Sequence, residues 1–133
     1  MKTSWAALAL IFSLPVSLPA GETNWTGNYT DKKNFNGQAV FQLNILEEKG
    51  AISVDFDAAY NDGQGCAPQA SGPAQIVDKN TLRFIFTDSS NNAGTGTISR
   101  SGEGVKISIN PMRVADARCV DFYGKDVRLA RAK

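Results

Sequence analysis

The sequence predicts an all-β protein: a single antiparallel meander of about eight short strands closing into a small barrel, with a two-layer β-sandwich as the alternative. Three observations point there. Apolar and polar residues alternate in run after run between residues 24 and 131, turns rich in Gly, Asn and Asp separate the runs, and no stretch of adequate length beyond the first twenty residues has a helical period. Closure ranks first because a lone meander otherwise leaves exposed strand edges.

Residues Met1 to Ala20 stand apart. Lys2 is followed by an apolar run from Trp5 to Leu18, broken by Ser and Pro, and then by the small residues Ala20 and Gly21. This is the layout of a secretory signal peptide. The run falls short of the ~20 apolar residues that cross a bilayer, and Pro15 and Pro19 oppose an uncleaved helix. The expected organisation is a signal peptide over 1–20 and one domain over 21–133, a size suited to a single modest core. No cysteine follows the cleavage point, so no lipid anchor is expected, and the destination is periplasmic or extracellular.

Taken in order, Asn24 to Thr30 suits a short strand with Trp25 and Tyr29 on one face, and Asp31-Lys32-Lys33-Asn34 breaks it. Gln38 to Leu46 alternates Ala39, Phe41, Leu43 and Ile45 with polar residues, as a half-buried strand does. Glu47-Glu48-Lys49-Gly50 reads as a hairpin turn, with Gly where a positive φ costs little. Ile52, Val54 and Phe56 then face inward, and Ser53, Asp55 and Asp57 outward.

Tyr60 to Gly65 is a polar, glycine-rich loop leading to Cys66. Pro68 and Pro73 keep the next stretch irregular or on an edge, before a short strand over Ala74 to Val77. Leu82, Phe84 and Phe86 mark the next strand and Asp88 to Asn92 a loop without apolar content. Gly94 to Ser99 and Val105 to Ile109 flank a turn at Ser101 to Gly104, and Asn110-Pro111 is expected to end the latter strand. Val114 to Tyr123 and Val127 to Arg131 make a last hairpin across Gly124-Lys125-Asp126.

Two cysteines in an exported chain imply one disulfide, Cys66 to Cys119, which ties the last strands to the middle. With about fifty residues between them, the chain-entropy account assigns the bridge roughly 4 kcal/mol. Reactive thiols would call for a Cys-x-x-Cys spacing, which is absent.

The formal net charge is +1, and setting Lys2 aside with the signal peptide brings it to zero. That balance gives no general reason to bind nucleic acid or an anionic membrane. The end of the chain is basic, through Arg113, Arg118, Lys125, Arg128, Arg131 and Lys133. The middle is acidic, through Glu47, Glu48, Asp55, Asp57 and Asp62, a distribution that suits cross-strand pairing on a solvated face.

Gly27-Asn28-Tyr29 near the start, with Arg128 and Arg131 in the last strand, resembles the calycin group of lipocalin-like and avidin-like barrels. In those families a Gly-x-Trp lies on the first strand and a basic residue from the end of the barrel packs over it. Here Tyr29 stands in place of the Trp, and Trp25 lies four residues earlier. The resemblance implies a barrel closed at one end by an aromatic ring under an arginine. Simple filling of the core by Trp25 and Tyr29 explains the same residues.

Histidine is absent, which removes the commonest general base and metal ligand, and with it most Ser-His-Asp, Cys-His and zinc chemistry. Paired carboxylates remain, since glycoside hydrolysis needs only two. Asp55 and Asp57 share an outward face, however, and Asp116 and Asp121 lie where Arg113 or Arg118 can pair with them. Asp57 to Gly63 fails the calcium-loop pattern at Ala59 and Asp62. Gly94-Thr95-Gly96 lacks the third Gly and the helix of a nucleotide fingerprint. No cofactor and no metal are expected. Asn24-Trp25-Thr26 and Asn28-Tyr29-Thr30 fit the glycosylation sequon, which matters only in a eukaryotic secretory path.

The expected function is therefore binding without catalysis, directed at another protein through loops and taking the form of an inhibitor of a lysozyme or protease. The candidate contact residues are Tyr60, Asn61, Asp62 and Gln64, with Arg113 and Arg118 as a second patch; the loop from Asp88 to Asn92 is expected to be presented beside them. A carrier of a small apolar ligand inside the barrel is the alternative. A hydrolase using Asp116 and Asp121 ranks last.

Overall fold

The computed structural model describes residues 24–33, 37–124 and 126–132, so the expected signal peptide lies outside the described residues. Eight antiparallel strands follow one another around a closed barrel. They are β1 (Gly27–Lys33), β2 (Ala39–Glu48), β3 (Ala51–Tyr60), β4 (Gln69–Asp78), β5 (Thr81–Thr87), β6 (Ala93–Ser101), β7 (Gly104–Arg113) and β8 (Asp126–Arg131). The first strand meets the last, Tyr29 opposite Arg131 and Thr30 opposite Ala130. Closure thus gives the expected barrel rather than the sandwich.

Alternation sets the interior. Phe41, Leu43 and Ile45 on β2 are buried, as are Ile52, Val54 and Phe56 on β3, Leu82, Phe84 and Phe86 on β5, and Val105, Ile107 and Ile109 on β7. The register places Leu43 opposite Phe56 and Ile98 opposite Ile107, so inward residues meet across each ladder. Each large apolar side chain so buried contributes roughly 1.5–3 kcal/mol against exposure. The rings of Phe41 and Phe56 stack with centroids 5.8 Å apart, and Phe56 meets Phe86 edge-on at 5.5 Å. Gly96 makes room for this cluster, because a Cβ there would lie 2.2 Å from Cζ of Phe84.

The two ends differ in their connections. At one end, the turn end, β2–β3, β4–β5 and β6–β7 are joined by two residues each. Lys49 and Gly50 both take positive φ, 55° and 83°, as a tight hairpin on twisted strands requires. At the other end, the loop end, β3–β4, β5–β6 and β7–β8 are joined by longer segments.

Four expectations about the elements are corrected. Residues 114–123 do not form a strand: Val114 to Asp116 are irregular and a 3-10 helix, η1 (Ala117–Phe122), follows. Asp116 caps it by accepting from the Arg118 N–H at 3.0 Å. Strand β7 continues through Pro111 to Arg113, and a register shift between Ala93 and Gly94 accommodates the missing donor. Strand β4 begins at Gln69 and includes Pro73, and β1 runs on to Lys33.

Candidate functional site

The turn end is sealed. Trp25 is 1% exposed, and Tyr29 donates from its hydroxyl to the Trp25 carbonyl at 2.9 Å. The guanidinium carbon of Arg100 lies 4.0 Å above the indole, and that of Arg131 lies 5.0 Å from the Tyr29 ring. Arg131 also donates to the Thr26 carbonyl at 2.9 Å and to the Tyr29 hydroxyl at 3.0 Å. Its path explains Gly27, where a Cβ would lie 2.6 Å from Nη1 of Arg131. Of the two basic residues singled out in the last strand, Arg131 covers an aromatic ring; Arg128 instead donates to Ser101 at 2.9 Å.

All six candidate contact residues come to the loop end: Tyr60 ends β3 and Asn61, Asp62 and Gln64 follow it, Arg113 ends β7, and Arg118 lies in η1. Tyr60 is half-buried with its ring 5.0 Å from that of Phe122, and its hydroxyl makes a long 3.5 Å contact with Asp121. Burial, then the Asp121 charge and hydrogen bond and the Asp62 charge, raises the Tyr60 phenol above its ordinary range. Asn61, Asp62 and Gln64 are exposed. Asn61 donates to the Gly37 carbonyl at 2.7 Å, and Asp62 accepts from the Gln64 N–H at 2.9 Å.

Arg113 and Arg118 are exposed and already engaged. Arg113 donates through Nε to the Asn91 carbonyl at 3.3 Å. Arg118 holds Asp116 in a two-pronged pair at 3.0 and 2.8 Å. Those hydrogen bonds keep the Asp116 carboxyl below the usual carboxylate range and raise Arg118. Of the pairings of Asp116 and Asp121 with Arg113 or Arg118 that were anticipated, the structure forms Asp116 with Arg118. Cys66 and Cys119 are bridged as expected, with Cα atoms 5.1 Å apart and both residues buried. Asp116 lies near the two sulfurs, but the sulfurs are bonded to each other and Asp116 is held by Arg118, so no free ligand set exists there.

The residues that organise this end went unrecognised in the sequence. Asp88 and Asn92, assigned to a loop presented to a partner, are buried, and Ser89 and Asn91 alone in that loop are exposed. The Asp88 carboxylate accepts four hydrogen bonds: from the Ser90 and Asn92 N–H groups at 2.8 and 3.0 Å, from Asn92 Nδ2 at 3.0 Å and from the Tyr123 hydroxyl at 2.6 Å. That set uses the full acceptor capacity of a carboxylate. Asn92 Oδ1 in turn accepts from the N–H groups of Ala115 and Asp116 at 2.7 and 2.9 Å. The segment before η1 is thereby bolted to the β5–β6 loop.

Burial first, then the hydrogen bond to Asp88 and its charge, raises the Tyr123 phenol far above its ordinary value. A phenol held protonated against a carboxylate with no spare lone pair serves structure, because neither group is free to take a proton from a substrate. Tyr123 also carries the network into the core, with its ring 5.6 Å from Phe86 and 6.2 Å from Phe56. The signal for this cluster was strand parity. Leu82, Phe84 and Phe86 continue inward to Asp88, and Ile98, Gly96 and Gly94 trace back inward to Asn92.

The class defined by fold and site is thus a small closed barrel with a packed interior, one sealed end and one end of braced polar loops. Comparison of the chain with protein-family models, curated proteins and solved structures finds no match to any of them.

Proposed function

We propose that this protein is an exported, non-catalytic binding module that engages another protein through its loop end, in the specific form of an inhibitor of a lysozyme or protease. The observation that carries the reading is the bracing of an exposed loop. Asn61, Asp62 and Gln64 stand in solvent, yet the Asn61 side chain is tied to Gly37 and the Gly63 N–H donates to the Tyr60 carbonyl at 3.0 Å. Asp62 is held to the Gln64 backbone, and the disulfide anchors the loop at Cys66. A loop ordered in advance binds without the entropic cost of ordering on contact. The buried disulfide also suits an oxidising compartment, consistent with export.

The carrier alternative requires a ligand to displace the packed rings of Phe56, Phe86 and Tyr123. The hydrolase alternative requires Asp116 to act while paired with Arg118. Neither requirement has a compensating observation.

The test is capture from cell-envelope and culture-medium extract by the immobilised, oxidised domain, beside a variant with residues 61–64 scrambled. A protein retained by the natural loop and lost with the scrambled one is the expected result. Recovery that ignores the scrambling, or no recovery at all, overturns the reading.

A further inference from the structure

Away from the loop end, the outward wall of β4 to β8 has a composition of its own. Register places Gln75 opposite Arg83, Arg83 opposite Thr97, Thr97 opposite Ser108 and Ser108 opposite Asp126, a single row across five strands. The next row towards the loop end runs Ile85, Thr95, Asn110. Along them lies a shallow groove of about 350 Å³, lined by Val77 and by the polar residues Thr81, Arg83, Thr95, Thr97, Ser108 and Asn110. None of these six polar side chains makes a hydrogen bond or ion pair within the described protein.

Arg83 is the feature that needs an explanation. Its cross-strand neighbours are Gln75 and Thr97, and the outward residues two positions along its strand are Thr81 and Ile85, so no carboxylate adjoins it in these rows. Lys106, on the same wall, does have one, Asp126 at 3.6 Å. The other carboxylates of this wall are engaged, Asp126 with Lys106 and Asp78 with the Asn80 N–H at 2.8 Å, and Asp55 and Asp57 face Asn44, Gln42, Ser71 and Gln69 on the opposite wall, where burial and then the Asp55 charge raise the Asp57 carboxyl. A free guanidinium ringed by hydroxyl and amide groups complements a sugar unit that carries a carboxylate beside its hydroxyls.

We infer that this wall binds an acidic polysaccharide of the uronic acid class. Arg83 takes the carboxylate through two parallel N–H bonds, and Thr97, Ser108 and Asn110 exchange hydrogen bonds with the ring hydroxyls. Neighbouring strands lie about 4.8 Å apart, close to the length of one sugar ring, so the row can follow successive units of a chain. Ile85, 76% exposed, offers an apolar surface to the C–H face of a sugar. A protein partner would look for a pocket that buries an aromatic or aliphatic anchor, whereas Val77 and Ile85 stand exposed at a shallow groove. A nucleic acid would look for several cations in register with phosphates.

The test is titration of the oxidised domain with an alginate hexasaccharide, followed by backbone amide shifts, with cellohexaose as the neutral comparison. Expected are shifts confined to β5, β6 and β7, weakening with added salt, and no response to cellohexaose. Arg83→Gln should weaken binding about tenfold, the loss of one charge-assisted pair, and Arg83→Lys less. Arg83 is exposed and makes no hydrogen bond or ion pair among the described residues, so an unchanged unfolding midpoint in Arg83→Gln verifies that its fold is intact. The variant scrambled at 61–64 should bind the hexasaccharide normally, which separates this inference from the protein-binding reading. Absence of shifts at millimolar hexasaccharide, equal binding of cellohexaose, or an unaffected Arg83→Gln overturns it. So does self-association of the free domain that Arg83→Gln abolishes, because the wall then meets the acidic wall of a second copy.

Discussion

At the turn end the seal has two parts: the Arg100 guanidinium over the Trp25 indole, and the Arg131 guanidinium over the Tyr29 ring, held there by the Tyr29 hydroxyl and the Thr26 carbonyl. At the loop end one carboxylate, one amide and one phenol share their hydrogen bonds, and a disulfide closes the same segment onto the β3–β4 loop. The physical consequence differs. The Arg100 part of the turn-end seal can fail without the Arg131 part, whereas the Asp88 network leaves several buried groups unsatisfied when any member is lost. The loop end can therefore be rigid without a large apolar core of its own, which suits a surface that must hold its shape in water.

The two ends differ most in what the disulfide does for them. Replacing Cys66 and Cys119 together by Ala should cost about 4 kcal/mol in urea unfolding, with hydrogen exchange accelerating across 114–124 before the turn end responds. Asp88→Ala comes next, at about 3 kcal/mol, because it strands the Tyr123 hydroxyl, the Asn92 amide and two backbone N–H groups. Combined with Tyr123→Phe, its cost should be less than the sum of the two single losses; strict additivity would show that the network is not shared.

Alkaline pH sharpens the contrast further. The Tyr123 phenol has a folded-state pKa raised above its unfolded value of about 10, so its contribution is complete below about pH 10 and is lost as pH rises beyond it. Unfolding midpoints measured between pH 8 and 11 should fall more steeply in the natural protein than in Tyr123→Phe. The smallest effect belongs to the turn end. Arg100→Met removes the guanidinium that lies over Trp25, with its long 3.3 Å bond to the Lys79 carbonyl, which should cost about 0.5–1 kcal/mol, read from the midpoint and leaving exchange at the loop end unchanged.

Most of the barrel was legible because period-two alternation is a direct readout of one buried face. Phe41 to Ile45 and Leu82 to Phe86 illustrate it, and the same parity pointed at Asp88 and Asn92. Their polarity obscured the message, because a carboxylate and an amide at the end of a strand are ordinarily turn residues facing water. The segment 114–123 was illegible for a different reason. Phe122 and Tyr123 are adjacent and both buried, which no strand facing one core permits, and six residues of 3-10 helix are too short to display a helical period. Arg100 escaped notice because its ring partner lies far away in sequence, and a lone arginine on a strand resembles any solvated cation.

Ring closure also dictates the order in which the molecule can be finished. The staves from β2 to β7 are each laid beside a neighbour in sequence, contacts that form over short loops. The hoop is completed only when Arg131 reaches Tyr29 from the far end of the domain, a late and entropically costly step. Until then both β1 and β8 present an unpaired edge, so the interval before closure is the time at which the chain is open to pairing with its neighbours.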